Sequence, residues 1–186
     1  MINRQRIPGL FSKLNYYIAL IPLTIFLYGC PFSSSYKMDA TPGVYAEDIL
    51  LGNWATMITT KNGKQLPVKM ILGKKSDNEY SIAFTGYISD LAMYRVIEND
   101  TIKCTGFVSN ARDRQFLNIS LNEQTYIAEL IYKENRLSLL PLAEKFTAKY
   151  IKSDEDLRIA VEFHIRTRVA PVYDEQFCLR DMVRVK

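Results

Sequence analysis

The chain has 186 residues, room for about one domain. With 48% apolar and 24% charged residues it is not a disordered chain, and one His with three Cys is too few for a zinc ribbon or a Cys/His cluster. The net charge of +4 belongs largely to the leader: the chain beyond residue 29 carries 21 bases against 20 acids and has no basic run, so nucleic acid is excluded as a partner.

Arg4, Arg6 and Lys13 precede an uncharged run from Tyr16 to Gly29, and no acid occurs before Asp39. The run has the length of a signal-peptide core and is short for a membrane span. Residues 1–29 therefore read as a signal peptide. The run ends in Leu27-Tyr28-Gly29-Cys30, which resembles the bacterial lipobox. The resemblance implies cleavage after Gly29, lipidation of Cys30 and attachment to the membrane through that N-terminal lipid. Residue 31 is Pro. The absence of an Asp there implies the outer membrane, with the domain facing the periplasm or the cell surface.

Residues 30–48 are rich in Ser, Pro and Gly and read as the lipidated Cys followed by a flexible tether. From residue 49 the chain alternates with the two-residue period of half-buried strands. Trp54, Thr56 and Ile58 share a face, as do Val68, Met70 and Leu72. Tyr80, Ile82 and Phe84 oppose Ser81 and Thr85. Leu117, Ile119 and Leu121 oppose Asn118 and Ser120, and Tyr126, Ala128, Leu130 and Tyr132 oppose Glu129 and Lys133. Turn clusters such as Asn122-Glu123-Gln124 and Lys133-Glu134-Asn135 separate these runs. The pattern predicts about eight short antiparallel strands between residues 53 and 141, which closure into a barrel would leave without edges.

The period then changes. Pro141 to Ile151 reads as a short helix. Ser153 is a fitting N-cap for a second, with Asp154, Glu155 and Asp156 in the first turn, Leu157, Ala160, Val161 and Ile165 on one face, and Arg166 and Arg168 near its end. Strand character returns over residues 176–185. The fold class is mainly β: an antiparallel up-and-down barrel with a C-terminal helix before a last strand, occupying residues 49–186.

This order, with Gly52-Asn53-Trp54 on the first strand, resembles the lipocalin or wider calycin family. The resemblance implies that Trp54 closes the barrel base beneath an Arg from near the chain end, Arg180 or Arg184. It also implies a lumen able to take a small apolar or amphipathic ligand. Family members often tie the C-terminal segment to the barrel with a disulfide, for which Cys104 and Cys178 are the candidates; two separately buried thiols are the alternative. Pairing would close a loop of about 75 residues and stabilise by about 4 kcal/mol in the chain-entropy model.

The remaining residues suggest little chemistry. His164, the single histidine, lies beside the helix's apolar face with no evident acid or base partner. The acids at 154–156 lack the alternation and central Gly of a calcium loop. Glu98, Asp100, Asp113 and Glu129 read as solvated turns and strand faces. No Gly-x-Ser-x-Gly elbow and no phosphate loop occurs, so neither enzymatic activity nor a metal or other cofactor is expected. Tyr80, Phe84, Phe107, Tyr126 and Tyr132 are expected to point inward, where they either fill the barrel or line a ligand cavity. A binding barrel and a filled scaffold that meets another envelope protein are thus the two readings.

Overall fold

The computed structural model describes residues 31–59, 63–86, 101–147, 150–167, 172–175 and 177–186. Cys30 and Gly29, with the rest of the leader, lie outside the described residues, as do Arg168, Gln176 and the turn at Glu98–Asp100.

A two-residue strand β1 (Ser33–Ser34) and a single 3-10 turn (Asp48–Leu50) precede the barrel. Its strands are β2 (Gly52–Thr59), β3 (Gln65–Lys74), β4 (Tyr80–Gly86), β5 (Thr101–Ala111), β6 (Arg114–Leu121), β7 (Gln124–Lys133) and β8 (Arg136–Pro141). Helix α1 (Asp154–Thr167) follows, then β9 (Leu179–Val185). Each of β2 to β8 pairs antiparallel with the next, and β9 pairs with both β8 and β2, so eight strands close the sheet. Among the described residues seven staves, not eight, lie before Pro141; the strand after the helix is the eighth. Between Pro141 and Ile151 the described residues form bridges and turns rather than the expected short helix. The hairpin turns at Asn122-Glu123 and Glu134-Asn135 hold both central residues at positive φ, the geometry that matches strand twist.

The interior is one continuous apolar cluster. Trp54, Met70, Leu72, Tyr80, Ile82, Cys104, Val108, Leu117, Ile119, Ala128, Leu130, Leu137, Leu139 and Met182 are all buried in it, with Ile58, Phe84, Tyr126 and Tyr132 packed at its margins. Phe107 is the exception among the aromatics expected inside. It shares the outer face with Asn118 across the β5–β6 register, and the Lys37 ammonium lies 5.8 Å from its ring centre.

The wall is not uniform. β3 alternates buried and exposed, as a strand with one solvated face must. Phe116, Leu117, Asn118 and Ile119 of β6 are all buried, and β7 has a similar run. Their outer face is covered by a second core in which Leu157, Ala160 and Val161 of α1 pack with Met38, Ala111, Phe116, Ile127, Leu142 and Phe146. Ser153 caps α1 as expected, its Oγ accepting from the Asp156 amide at 3.0 Å. By contrast, the outer wall of β9, β2 and β3 is open and leaves Val183, Met57 and Ile71 exposed.

Part of the expected tether belongs to this second core. Phe32 packs edge-on against Phe146 at 4.6 Å and its amide donates to the Leu142 carbonyl at 2.8 Å. Ser33 and Ser34 pair with Tyr126 and Thr125. Met38 is buried, and its amide donates to Asn118 Oδ1 at 2.8 Å. Residues 31–39 are thus folded onto the wall because β6 and β7 offer them apolar and hydrogen-bonding partners. Ala40, Thr41 and Gly43 are exposed beyond them.

Candidate functional site

Three places bear on function: the barrel base, the two thiols and a cleft beside the helix. At the base, Trp54 is fully buried. Its Nε1 donates to the Leu50 carbonyl at 2.8 Å, and its ring meets Tyr132 edge-on at 6.2 Å. The 3-10 turn lies over this end, tied down by the Glu47 amide donating to the Tyr80 hydroxyl at 2.7 Å. The arginine on the Trp is Arg184, its guanidinium 4.7 Å from the ring centre and also donating to the Ile49 carbonyl. Arg180 does not take this role; it pairs with Glu175 at 2.8 Å on the surface. The cross-strand register decides the matter, because Arg184 stands directly opposite Trp54. Gly52 holds φ at +131°, and a β-carbon there would sit 3.4 Å from Arg184 Nη1, so glycine suits the first place of Gly-x-Trp.

Cys104 and Cys178 are not joined; both are free thiols. Cys104 faces the lumen from β5, and Cys178 sits immediately before β9. Those strands are four staves apart in either direction round the barrel. At about 4.8 Å per stave that separation exceeds the roughly 7 Å Cα spacing a disulfide tolerates. Each thiol contacts a backbone carbonyl instead, Ile82 at 3.7 Å for Cys104 and Asp174 at 3.3 Å for Cys178.

Burial pushes the Cys104 thiol up to about 12 and the Cys178 thiol up to about 11, the latter aided by Glu175. Raised folded-state values mean that these thiols stabilise fully below the unfolded value of about 8.5, and that this contribution is lost as pH climbs toward 11–12. Chemical denaturation at pH 9.5 is therefore expected to give a stability lower than at pH 7 by about 1 kcal/mol per thiol. Cys104→Ala should remove its share of the slope, and an unchanged slope would refute the assignment.

The cleft lies between α1 and the outer wall, with a volume of about 190 Å³. Arg114, Phe116, Leu142, Phe146, Val161, His164, Ile165, Val172 and Tyr173 line it. One end is polar. Arg114 Nη1 lies 3.3 Å from Glu129 Oε2 and 3.2 Å from the Tyr173 hydroxyl, which itself donates to Glu129. Glu129, expected on a solvated strand face, is 6% exposed because α1 and the segments beside it cover this wall. Burial and the neighbouring Glu129 charge both raise the Tyr173 hydroxyl above its ordinary value. The other end holds His164. Its ring packs against Phe146 at 5.3 Å, and its Nδ1 is buried without a hydrogen-bond partner among the described residues.

The sequence singles out His164 but not this cleft, whose other members come from a strand start, two aperiodic stretches and a helix face. Asp154–Asp156 serve the helix start as expected, Asp154 Oδ1 also accepting from the Lys37 amide at 2.9 Å. No group of three or more metal-ligating side chains occurs among the described residues, and none of their helices is long and apolar enough to cross a membrane. Comparison with protein-family models, with curated proteins and with solved structures returns no match.

Proposed function

We propose that this chain is a non-catalytic lipoprotein of the cell envelope, attached to the outer membrane through lipidated Cys30. Its barrel is a filled scaffold rather than a container. The packed interior supports this reading: Trp54, Tyr80, Ile82, Leu117 and Leu137 are fully buried in one apolar cluster inside the closed sheet. Recognition then belongs to the outside. The open wall with Met57, Ile71 and Val183 offers an apolar face to another envelope component. The basic leader, its uncharged run and the lipobox-like Leu27-Tyr28-Gly29-Cys30 support the anchor.

Both parts are testable on the full chain in a Gram-negative host. Metabolic labelling with an alkyne fatty acid should mark the protein in the membrane fraction, and Cys30→Ser should abolish the label. Trp54, the single tryptophan, reports on the barrel base. Its emission should stay constant as palmitate is added to the purified protein. An unlabelled wild type would overturn the anchor, and a saturable one-to-one change in Trp54 emission would overturn the filled barrel.

A further inference from the structure

We infer that the outer stripe of α1, Ile159 and Phe163 with Arg166 beyond them, is a second membrane contact that lies on the same bilayer to which the chain is anchored. The inference rests on the lipid anchor proposed above and adds an orientation to it.

The stripe itself comes first. α1 packs Leu157, Ala160 and Val161 against the barrel wall. Its other side carries Glu155, Ile159, Phe163 and Arg166, all exposed and three or four residues apart, so they form one line along the helix. Ile159 is 47% and Phe163 49% exposed. Two apolar side chains between charged ones fall short of a stable protein interface, which needs about 1,000 Å². A tether changes the requirement: once the chain is held at a surface, a weak contact with that surface is intramolecular. The helix is not long and apolar enough to cross, so it lies on the bilayer.

The position of the anchored end comes second. Pro31 is bridged to Ala143, and Phe32 packs on Phe146, whose ring meets His164 at 5.3 Å. Farther along, the Lys37 amide donates to Asp154 at the helix start. Residues 31–37 thus run from the C-terminal half of α1 toward its N-terminus. The residue that would bear the lipid adjoins the half that holds Phe163 and Arg166.

Charge agrees with this placement. The acids Asp154, Glu155 and Asp156 stand at the far end of the helix, and Arg158 and Glu162 are matched by each other and by Asp39. Arg166 stands at the near end, its guanidinium 5.5 Å from the Phe163 ring centre. The end beside the anchor is therefore apolar and cationic, the combination that anionic headgroups attract. The topology supplies the consequence. α1 covers β6 and β7, and β2 and β3 lie four staves away on the opposite side of the barrel. Laying α1 on the bilayer turns Met57 and Ile71 away from it, toward a partner.

The test reads isoleucine δ1 methyls on both sides of the domain: Ile159 on the stripe and Ile71 on the open wall, both exposed. The full chain, carrying its lipid, is placed in nanodiscs of phosphatidylethanolamine and phosphatidylglycerol doped with 5-doxyl phosphatidylcholine. An interfacial apolar face sits roughly 5–10 Å into the boundary of headgroups and acyl chains, within reach of that nitroxide. Ile159 should broaden at least threefold more than Ile71. Phe163→Glu, a change at an exposed position, should bring Ile159 down to the level of Ile71 while the buried Ile82 and Ile127 methyls stay in place. Ile159 broadened no more than Ile71, as a second copy or another protein on the stripe would give, overturns the inference. So does broadening that survives Phe163→Glu. Intact mass reads the lipid separately. Lipid present with a silent Ile159 overturns this inference alone, whereas absence of the lipid overturns the anchor and this inference with it.

Discussion

Trp54→Ala should lower the unfolding free energy by about 3–5 kcal/mol, the range for emptying a large buried aromatic site. Three contacts are lost together: the indole hydrogen bond to Leu50, the edge contact with Tyr132 and the face beneath Arg184. The 3-10 turn over the base should loosen as well, because Leu50 is buried against the same cluster. Chemical denaturation gives the free energy, and hydrogen exchange of residues 46–52 gives the loosening. Arg184→Ala should cost much less, about 1 kcal/mol, as an exposed cation over an aromatic face. Arg180→Ala should stay within about 0.5 kcal/mol, since its ion pair is solvent-exposed. A loss under 2 kcal/mol for Trp54→Ala, or Arg180 outweighing Arg184, would contradict the described base.

The second large effect is expected at Asn118, a side chain whose position in the β alternation predicts exposure and which is fully buried. Its amide joins three partners: it accepts from the Met38 amide at 2.8 Å and donates to Ser109 Oγ at 2.8 Å and to the Phe107 carbonyl at 3.3 Å. Asn118→Ala leaves a buried backbone donor and acceptor without these bonds, at about 1–3 kcal/mol for each group left unsatisfied. A total near 3 kcal/mol is expected, with the Met38 amide losing its exchange protection. Protection unchanged at Met38 would mean that the segment's other contacts, among them the β1–β7 pairing and the Phe32 and Lys37 amide hydrogen bonds, hold it without Asn118.

Much of the barrel is legible because strand alternation records which face meets a core. β3 shows this cleanly, with Val68, Met70 and Leu72 inside and Lys69 outside. The signal fails where both faces are covered. Glu129 and Asn118 look like solvent-facing polar residues, and only the long-range docking of α1 and residues 31–39 buries them. The same reason hides the cleft, whose residues lie far apart along the chain and share no period. Phe32 and Met38 sit in a Ser- and Pro-rich stretch whose composition reads as linker, and composition does not register two well-placed apolar side chains. The disulfide reading fails for a related reason: only the closed strand order places β5 and β9 on opposite sides.

The docking of the N-terminal segment also sets a length scale. A slack linker over residues 31–48 could span roughly 60 Å when extended, at about 3.4 Å per residue. Pro31 is instead bridged to Ala143, and Phe32 is held at Leu142 and Phe146. With a lipid on Cys30, a single peptide bond would separate the anchor from the folded wall. Under the proposed anchor, the docked segment would leave little slack between the lipid and the domain. Under the same proposal its reach would be about its own size, and a partner would have to meet it close to the membrane surface.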